Sequence, residues 1–344
     1  MSDTILPTSA FDVAEVRARL QQVGELGADE DVTVRLLAGG RSNLTFEVSS
    51  PNRSWVLRRP PAGELLETAH DMGREVAVQS ALANSGIPVP RIVYSSSDAP
   101  HAGGSYYLMD KVDGTVLRTD ADFESVPFSQ REALSHQYID SLAALHTQDV
   151  EAVGLASFGR PEGFLERQVR RWTKQLSSSQ SRELPELDRL SAALAGSVPA
   201  AAKPSVIHGD FRFDNMIVQL EPHPSIAAIL DWEMSTLGDP LTDLGLVHLF
   251  WEGWKGIDNP IAGTPTSHAG YPPFSALAQR YSSTTGTDLS NQVWYNAFAF
   301  FKMAVILEGI HTRFLNGETV GDGFDNIGAM VAPLTERGLA ALTA

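Results

Sequence analysis

The stretch VIHGDFRFDNMIV at residues 206–218 is followed by IAAILDWE at residues 226–233. Apolar, strand-forming residues flank the polar ones, so we expect Asp210, Asn215 and Asp231 to lie at strand ends or in the loops between strands. Such ends can converge on one site. Two carboxylates and an amide match the needs of phosphoryl transfer: a carboxylate that orients and deprotonates an attacking hydroxyl, and hard oxygen ligands for Mg²⁺.

The order and spacing of these residues resemble the catalytic and metal motifs of the aminoglycoside phosphotransferase family. The motif comprises HGD at 208–210, Asn215, and DWE at 231–233. The resemblance implies that Asp210 is the catalytic base, that Asn215 and Asp231 hold Mg²⁺, and that His208 braces the catalytic loop. An HGD tripeptide alone would be read equally well as a polar turn, and the longer motif carries the interpretation.

The segment GDPLTDL at 238–244 is similar to the part of the family that follows the metal site, where it orders the loop and starts a helix. The resemblance extends over about residues 33–250 and implies an α+β, bilobal, protein-kinase-like fold. We expect a nucleotide-binding N-terminal lobe with an antiparallel sheet at residues 1–110. A larger, helix-rich catalytic and substrate lobe is expected at residues 111–344.

Hydrophobic periodicity agrees with this division. Short β-like runs separated by turns predict an antiparallel meander, and later segments carry apolar residues at helical spacing. The strand predictions cover residues 32–37, 44–48, 55–58, 91–94 and 105–109. The helix predictions cover residues 11–26, 64–83, 161–177, 240–252 and 291–316. A further helix is predicted from Ser129, because Ser129 and Glu132 match a capping box.

A glycine-rich turn, GGRSN at residues 39–43, lies between the first two predicted strands. Small residues there let backbone amides approach phosphate groups, so Gly39, Gly40, Ser42 and Asn43 are candidate nucleotide-binding residues. The chain contains no GxxxxGK[ST] loop. The alternative interpretation is an ordinary hairpin turn, which a glycine pair alone favours.

The third predicted strand carries a cation at the place where kinase-like folds grip the nucleotide phosphates and pair with a helix carboxylate. Here that cation is Arg58, and the following helix supplies Glu75. The wider family has Lys at this position, whereas Arg binds phosphate bidentately. The adjacent Arg59 is a competing candidate, although strand alternation points it to the opposite face. A surface ion pair is the alternative role for Arg58 and Glu75.

The segment YLMDKVDG at 107–114 resembles the hinge that joins the two lobes of the family. By that resemblance, adenine would hydrogen-bond to backbone groups near Asp110 and Val112. The same residues also suit a strand that ends in a turn. The nucleotide implied by the resemblance is ATP, with GTP as the alternative.

Composition restricts the remaining functions. The 344 residues include 26 Lys and Arg against 42 Asp and Glu, a formal charge of −16 that argues against a broad nucleic-acid or anionic-membrane surface. The absence of cysteine excludes disulfides, thiolate metal sites and a Cys nucleophile. We expect a cytoplasmic protein, since no apolar run reaches the roughly 20 residues that span a bilayer and the N-terminal residues do not resemble a secretory signal.

The acceptor is predicted to be a small molecule with a hydroxyl group. Residues 160–182 contain six basic and two acidic side chains in an acidic chain, and a helix near 294–303 is rich in aromatic residues. The LRRPP run at 57–61, the GGRSN turn and that helix resemble phosphotransferase-type domains attached to acyl-CoA dehydrogenases, which implies a hydroxyacyl acceptor. Surface solvation and core packing are the plainer interpretations of the basic and aromatic residues.

Four other functions are alternatives to this prediction. An aminoglycoside-type antibiotic kinase would use acidic residues between 251 and 344. A nucleotide-binding pseudokinase is disfavoured because Asp210, Asn215 and Asp231 are all present. A hydrolase lacks a G-x-S-x-G, an HExxH or a cysteine on which to base its chemistry. A protein kinase is disfavoured because only about ten residues separate Asp231 from the next predicted helix, too few for an activation segment.

Overall fold

The computed structural model describes residues 12–37, 43–60, 72–96, 105–319 and 323–343. The chain forms two compact units, each with α-helices and antiparallel strands. The first unit comprises Met1–Gly114 and Ala227–Ser235, and the second comprises Thr115–Ile226 and Thr236–Ala344. The sequence-based division assigned residues 227–235 to the C-terminal lobe, whereas their contacts assign them to the first unit.

The first unit is built on a five-stranded antiparallel sheet, in which the three strands predicted as a meander are neighbours. The spatial order is β1-β2-β3-β5-β4. The strands are β1 (Thr33–Leu36), β2 (Leu44–Ser49), β3 (Ser54–Arg59), β4 (Ile92–Ser96) and β5 (Tyr106–Asp110). The described helices of this unit are α1 (Val13–Gln22) and α2 (Met72–Leu82). Residues 64–71, the first part of a predicted helix, lie outside the described residues.

The two faces of β3 pack against different helices, because successive side chains of a strand point to opposite faces. Trp55 and Leu57 share a buried cluster with Val16 and Leu20 of α1. Val56 belongs to the cluster that includes Met72 of α2. Alternation therefore directs the side chain two residues after Val56, that of Arg58, towards the α2 face.

The second unit is mainly helical. Its helices are α3 (Asp120–Ser125), α4 (Phe128–His146), α5 (Phe164–Ser179), α6 (Pro185–Gly196), α7 (Leu241–His248), α8 (Phe274–Thr285), α9 (Gln292–Leu315) and α10 (Val331–Ala341). A π-helical turn, Leu249–Gly253, continues α7. Among the short strands β6 (Ser205–Ile207), β7 (Met216–Gln219), β8 (Ser225–Ile229) and β9 (Thr236–Gly238), β6 pairs antiparallel with β9.

The central helix of the second unit is α9. By length and composition it is the one helix among the described residues that could cross a membrane, but 67% of its apolar window is buried by the rest of the fold. Such burial is typical of the core helix of a globular domain. Gly245 of α7 allows α9 to approach closely, since a Cβ there would overlap the carbonyl oxygen of Tyr295.

The predicted capping box at Ser129 and Glu132 was wrong. The helix α4 begins one residue earlier, at Phe128, and its N-cap residue Pro127 makes no side-chain cap. Proline fixes the backbone near helical φ without needing an N–H partner, so it can start a helix unaided. The capping box instead lies before α3, where Thr119 and Asp122 bond reciprocally.

Candidate active site

The HGD motif forms the loop between β6 and β7 in the second unit. Asp210 lies in this loop, and Asn215 ends a 3₁₀ turn directly before β7. The side-chain amide Nδ2 of Asn215 donates to the carboxylate Oδ2 of Asp210 at 2.8 Å and to its backbone carbonyl at 2.9 Å. The first bond holds the Asp210 side chain and the second holds its backbone. Both use the amide nitrogen of Asn215, so its side-chain carbonyl oxygen remains to bind a metal.

His208 is fully buried beneath this loop. Its Nδ1 accepts a hydrogen bond from the backbone N–H of Asp210 at 3.2 Å, which supports the bracing role that the resemblance implied. Between them, Gly209 has a φ of 83°, in the left-handed region that side chains with a Cβ rarely occupy. The turn thus depends on glycine at this position.

A buried carboxylate on α7 holds the same loop from the opposite direction. Asp243 accepts the backbone N–H of His208 at 2.6 Å and that of Gly209 at 2.8 Å. His146 of α4 lies 3.2 Å from the same carboxylate, and its other ring nitrogen contacts the hydroxyl of Tyr281 at 2.8 Å. We call this arrangement of Asp243 and the two loop amides the Asp243 clamp.

Electrostatics favour the ionised form of Asp243. Burial raises the pKa of Asp243. The hydrogen bond and charge of His146 and the backbone N–H of His208 lower it by a larger amount, so the net pKa lies below the ordinary value. Charge-assisted hydrogen bonds to a carboxylate are stronger than neutral ones. The segment at 238–244 was predicted to order the catalytic loop, and the Asp243 clamp is the interaction by which it does so.

A buried polar cluster in the first unit is centred on Glu75 of α2, which is fully buried. Arg58 Nη1 lies 2.9 Å from its carboxylate, so the predicted ion pair between strand and helix is present. The hydroxyl of Tyr107 donates to the same carboxylate at 2.7 Å and the amide of Asn43 donates at 3.2 Å. Asn43, predicted to lie in a phosphate-binding turn, therefore directs its amide to Glu75.

Burial and the neighbouring charges shift the pKa values of Glu75 and Arg58 in opposite directions. Burial raises the pKa of Glu75, and Arg58 and Tyr107 offset part of that increase. Burial lowers the pKa of Arg58, but the neighbouring Tyr107, Glu75 and Asp231 outweigh it and raise the pKa above its ordinary value. The guanidinium is therefore charged at any physiological pH.

Asp231 joins this cluster through a second bond to the guanidinium, because Arg58 Nη2 donates to its carboxylate at 3.0 Å. Asp231 has a φ of 64° and is the one non-glycine residue with a positive φ in the described ranges. Such a conformation costs about 1–3 kcal/mol and is concentrated at functional sites. Carboxylate oxygens of Glu75, Asp231 and Glu233 lie within 4.8 Å of one another, and hard oxygen donors of this kind suit a divalent cation.

Two further contacts attach the Asp231 segment to the first unit. The backbone N–H of Ile229 donates to the carbonyl of Pro88 at 2.7 Å, and Arg74 of α2 donates to the carbonyl of Ser235 at 3.2 Å. These bonds and the one to Arg58 explain why residues 227–235 belong with the sheet and α2.

Arg59, the competing cation, occupies a different environment. Its side chain is buried, its Nε donates to the carbonyl of Pro60 at 3.2 Å, and burial lowers its pKa. Strand alternation places it on the face of Leu57, opposite to Arg58. The geometry thus favours Arg58 as the phosphate-binding candidate.

The predicted hinge follows β5. The carboxylate of Asp110 is engaged by Arg53 at 2.8 Å and Arg91 at 2.9 Å, so its side chain serves surface ion pairs. In the part of the chain that the structure describes, the backbone of Val112 makes no hydrogen bond. Its N–H and carbonyl are therefore available to a ligand. Gly39, Gly40 and Ser42, the other predicted nucleotide-binding residues, lie outside the described residues.

Two residues near the catalytic loop were not singled out from the sequence. Arg212 pairs with Asp214 within the loop and lies 4.7 Å from the ring centre of Phe250. Lys302 of α9 donates to the carbonyl oxygen of Gly209 at 3.0 Å. The sequence did carry a signal for Lys302, because it is the one charged residue between positions 292 and 307, a stretch made up mainly of apolar residues.

Comparison with known proteins identifies the family. Residues 33–270 match the profile of the phosphotransferase enzyme family. The chain belongs to that family. The predicted resemblance is confirmed, and the predicted α+β, kinase-like fold is confirmed by the solved structures described next.

Among solved structures, the chain is similar to a Ralstonia eutropha protein provisionally assigned as an aminoglycoside phosphotransferase. The two are 30% identical with a TM-score of 0.83, and the match covers 97% of this chain and 98% of the other. The GDP complex of aminoglycoside 2'-phosphotransferase-IIIa shares the fold, with a TM-score of 0.63, 15% identity, and coverage of 96% of this chain and 99% of the other.

The curated relatives of this phosphotransferase family member are larger proteins. Acyl-CoA dehydrogenase family member 11 of Rattus norvegicus is 34% identical, and its human counterpart is 33% identical. Each match covers 97% of this chain but 44% of the relative, so the chain spans less than half the length of these relatives. The predicted resemblance to phosphotransferase-type domains associated with acyl-CoA dehydrogenases is confirmed.

The Asp243 clamp yields a stability prediction. We expect Asp243→Asn to lower the free energy of unfolding by about 3–5 kcal/mol, because an amide can accept only through its oxygen and one loop N–H loses its buried partner. Urea denaturation measures the change. The matched control Glu132→Gln neutralises an exposed carboxylate on α4 and should leave stability within about 0.5 kcal/mol.

The pH dependence of this difference provides a second check. The folded-state pKa of Asp243 is lowered, so its contribution is fully present above the unfolded value of about 3.9 and is lost as the pH falls towards the folded value. The stability gap between the protein and Asp243→Asn should be constant above about pH 5 and narrow below about pH 4. A gap that widens on acidification would contradict an ionised clamp.

Proposed function

We propose that this chain transfers the γ-phosphoryl group of Mg²⁺-bound ATP, with GTP as the alternative nucleotide, onto the hydroxyl of a small, hydroxyacyl-type molecule. The observation that carries the proposal is the Asp210 carboxylate, held by Asn215 within a loop fixed by the Asp243 clamp, in a chain of the phosphotransferase family. We assign nucleotide binding to the first unit and acceptor binding to the second.

Asp210 acts as the base in this proposal. A general base must be ionised and aimed at the proton that it accepts. The Asn215 amide donates to Oδ2, which leaves Oδ1 to accept the proton of the attacking hydroxyl. His208 and the Asp243 clamp hold the backbone directly before this residue, so the carboxylate needs little reorganisation when the acceptor binds.

Mg²⁺ would be held by Asp231 and Asn215, the two residues that the sequence motif assigns. The donor chemistry fits: Asp231 supplies a carboxylate, and Asn215 retains a free carbonyl oxygen because its amide nitrogen serves Asp210. Glu233 and Glu75 add carboxylates near Asp231. When bound, the metal neutralises charge on the nucleotide phosphates.

Arg58 is the proposed phosphate-binding cation. Its guanidinium is buried, permanently charged and oriented by Glu75, with a second bond to Asp231. Arginine offers a planar fork of donors that suits phosphate oxygens, so its replacement of the usual lysine preserves the charge while altering the contact geometry. Gly39, Gly40, Ser42 and Asn43 would contribute the adjacent turn, and the backbone near Asp110 and Val112 would bind the base.

The acceptor proposal rests on charge and on the relatives. Three basic residues of α5 are exposed and have no hydrogen bond or ion pair to a carboxylate in the described ranges: Arg170, Arg171 and Lys174. An anionic acceptor would complement them. The curated relatives are named for acyl-CoA dehydrogenases, which supports a hydroxyacyl compound.

An aminoglycoside acceptor is the second candidate. Several solved structures of the same fold are aminoglycoside phosphotransferases, one of them in complex with GDP and kanamycin. A polycationic acceptor needs paired carboxylates to offset desolvation of its ammonium groups. In the C-terminal region of this chain, however, Glu308 is already neutralised by Arg182 and Glu252 accepts the backbone N–H of Phe274.

The first test of this function is Asp210→Asn. Turnover should fall by about 10²- to 10⁴-fold, the usual contribution of a general base, while nucleotide affinity stays within a few-fold. Steady-state kinetics and calorimetry measure the two quantities. Asp188→Asn, which removes an exposed carboxylate on α6 of the same unit, should leave both unchanged. Near-normal turnover in Asp210→Asn would refute the assignment.

The second test concerns the metal. Asp231→Ala should abolish the Mg²⁺ dependence of nucleotide binding, because it removes a hard oxygen ligand. Calorimetry with ATP in the presence and absence of Mg²⁺ detects the effect. Asp29→Ala deletes an exposed carboxylate of the same unit and should retain the parent's metal dependence. If Asp231→Ala binds nucleotide with unchanged affinity and unchanged metal requirement, the metal ligand lies elsewhere.

The third test identifies the acceptor class. Purified protein with Mg-ATP is offered equal concentrations of hydroxyacyl-CoA esters, free hydroxy acids, sugars, amino alcohols and kanamycin-like compounds, at one ionic strength. We expect the hydroxyacyl compounds to give the highest kcat/KM. Efficient phosphorylation of the aminoglycosides, with none of the hydroxyacyl compounds, would establish the second candidate instead.

A further inference from the structure

Lys302 is an ionisable residue in an apolar environment. It lies in the middle of α9 between the buried residues Phe301 and Met303. Its ammonium group lies 5.5 Å from the ring centre of Trp172 on α5. An unbranched apolar side chain could fill this position without the cost of removing a charge from water.

The charges around Lys302 come from the catalytic loop, from α7 and from α5. Burial lowers the pKa of its ammonium group, and Arg171 of α5 lowers it further. The carboxylates of Asp210 and Asp243 act in the opposite direction and stabilise the charged form. The ammonium therefore interacts electrostatically with the candidate base, with the carboxylate of the Asp243 clamp and with one cation.

Lys302 makes a polar contact with the peptide group that precedes Asp210. Nζ donates to the carbonyl oxygen of Gly209 at 3.0 Å. The N–H of this same peptide group, which belongs to Asp210, donates to Nδ1 of His208 at 3.2 Å. Both polar ends of the Gly209–Asp210 peptide are thus bonded, one by Lys302 and the other by His208.

This contact matters because Gly209 is the flexible point of the loop. Glycine populates several backbone conformations at little cost, so the plane of the following peptide is set by its hydrogen bonds. The Asp243 clamp fixes the peptide before Gly209 through the Gly209 N–H. Without Lys302, the carbonyl oxygen of Gly209 would lose its partner. The Gly209–Asp210 peptide could then rotate and move the Asp210 side chain.

We propose that Lys302 is a positioning residue for Asp210: by donating to the carbonyl of Gly209, it fixes the peptide plane from which the candidate base projects. Its effect on catalysis rests on the proposed function, whereas its effect on the loop does not. Through this contact, the core helix α9 is bonded directly to the loop that contains the candidate base.

The experiment compares Lys302→Met, Lys302→Arg and the control Arg313→Met. Met keeps the length of the side chain without its donor, Arg restores a charged donor, and Arg313→Met removes an exposed cation near the end of the same helix. Thermal unfolding of each variant verifies folding. Lys302→Met should unfold within a few degrees of the parent, since the loss of one hydrogen bond is offset by the removal of a half-buried charge.

Hydrogen exchange measured by mass spectrometry reports on the loop without any substrate. In Lys302→Met, the peptide covering residues 206–218 should exchange roughly fivefold faster or more, as expected for the loss of one hydrogen bond, and peptides from α4 should be unchanged. Arg313→Met should match the parent. Parent-like exchange in a folded Lys302→Met would overturn the proposal.

Turnover provides the catalytic measurement. The probe is consumption of Mg-ATP with water as acceptor and with the best acceptor from the panel. Lys302→Met should lower kcat on the order of 10²-fold with nucleotide KM within about twofold, and Lys302→Arg should recover part of the loss. Faster exchange with unchanged kcat would show that Lys302 orders the loop without positioning the base. If the parent itself turns over no nucleotide, the proposed function fails, and the exchange measurement still decides whether Lys302 holds the loop.

Discussion

The carboxylate of Asp243 accepts the backbone N–H groups of two consecutive residues, His208 and Gly209, at the point where β6 ends. A buried carboxylate needs such donors to remain ionised, and the loop amides need an acceptor because they are removed from water. Each requirement satisfies the other. The HGD turn, the Asn215 contact and the Lys302 contact all depend on a loop that this interaction keeps in one conformation.

The first unit satisfies its buried charges differently. Arg58 lies between the carboxylates of Glu75 and Asp231, while Tyr107 and Asn43 donate to Glu75. A cation shared by two carboxylates leaves one negative charge in excess. A divalent cation would offset this excess, whereas phosphate groups alone would add to it, so the proposed binding of the two as a complex limits the negative charge that the cluster takes on.

Much of this architecture could be predicted from the sequence, because local patterns determine it. The five strands and the helix that carries Glu75 followed from apolar periodicity and turn residues. The ion pair between Arg58 and Glu75 followed from the resemblance to kinase-like folds, in which a cation on the third strand pairs with a helix carboxylate. The start of α4 could not be predicted in the same way. Ser129 and Glu132 match a capping box, but Pro127 lies at the N-cap of the helix. Lys302 was missed for another reason: its partner Gly209 lies 93 positions away in the chain, and spacing patterns do not report such contacts.

The left-handed backbone of Asp231 is strained, while the side chain of the same residue forms the ion pair with Arg58. Glycine there would relieve conformational strain of about 1 kcal/mol or more, yet it would delete the carboxylate that meets Arg58. The gain from relieving the strain is therefore set against the loss of an ion pair with the buried Arg58. Asparagine tolerates the same backbone region and nearly the same shape, so position 231 can be probed for its charge with the backbone strain held constant.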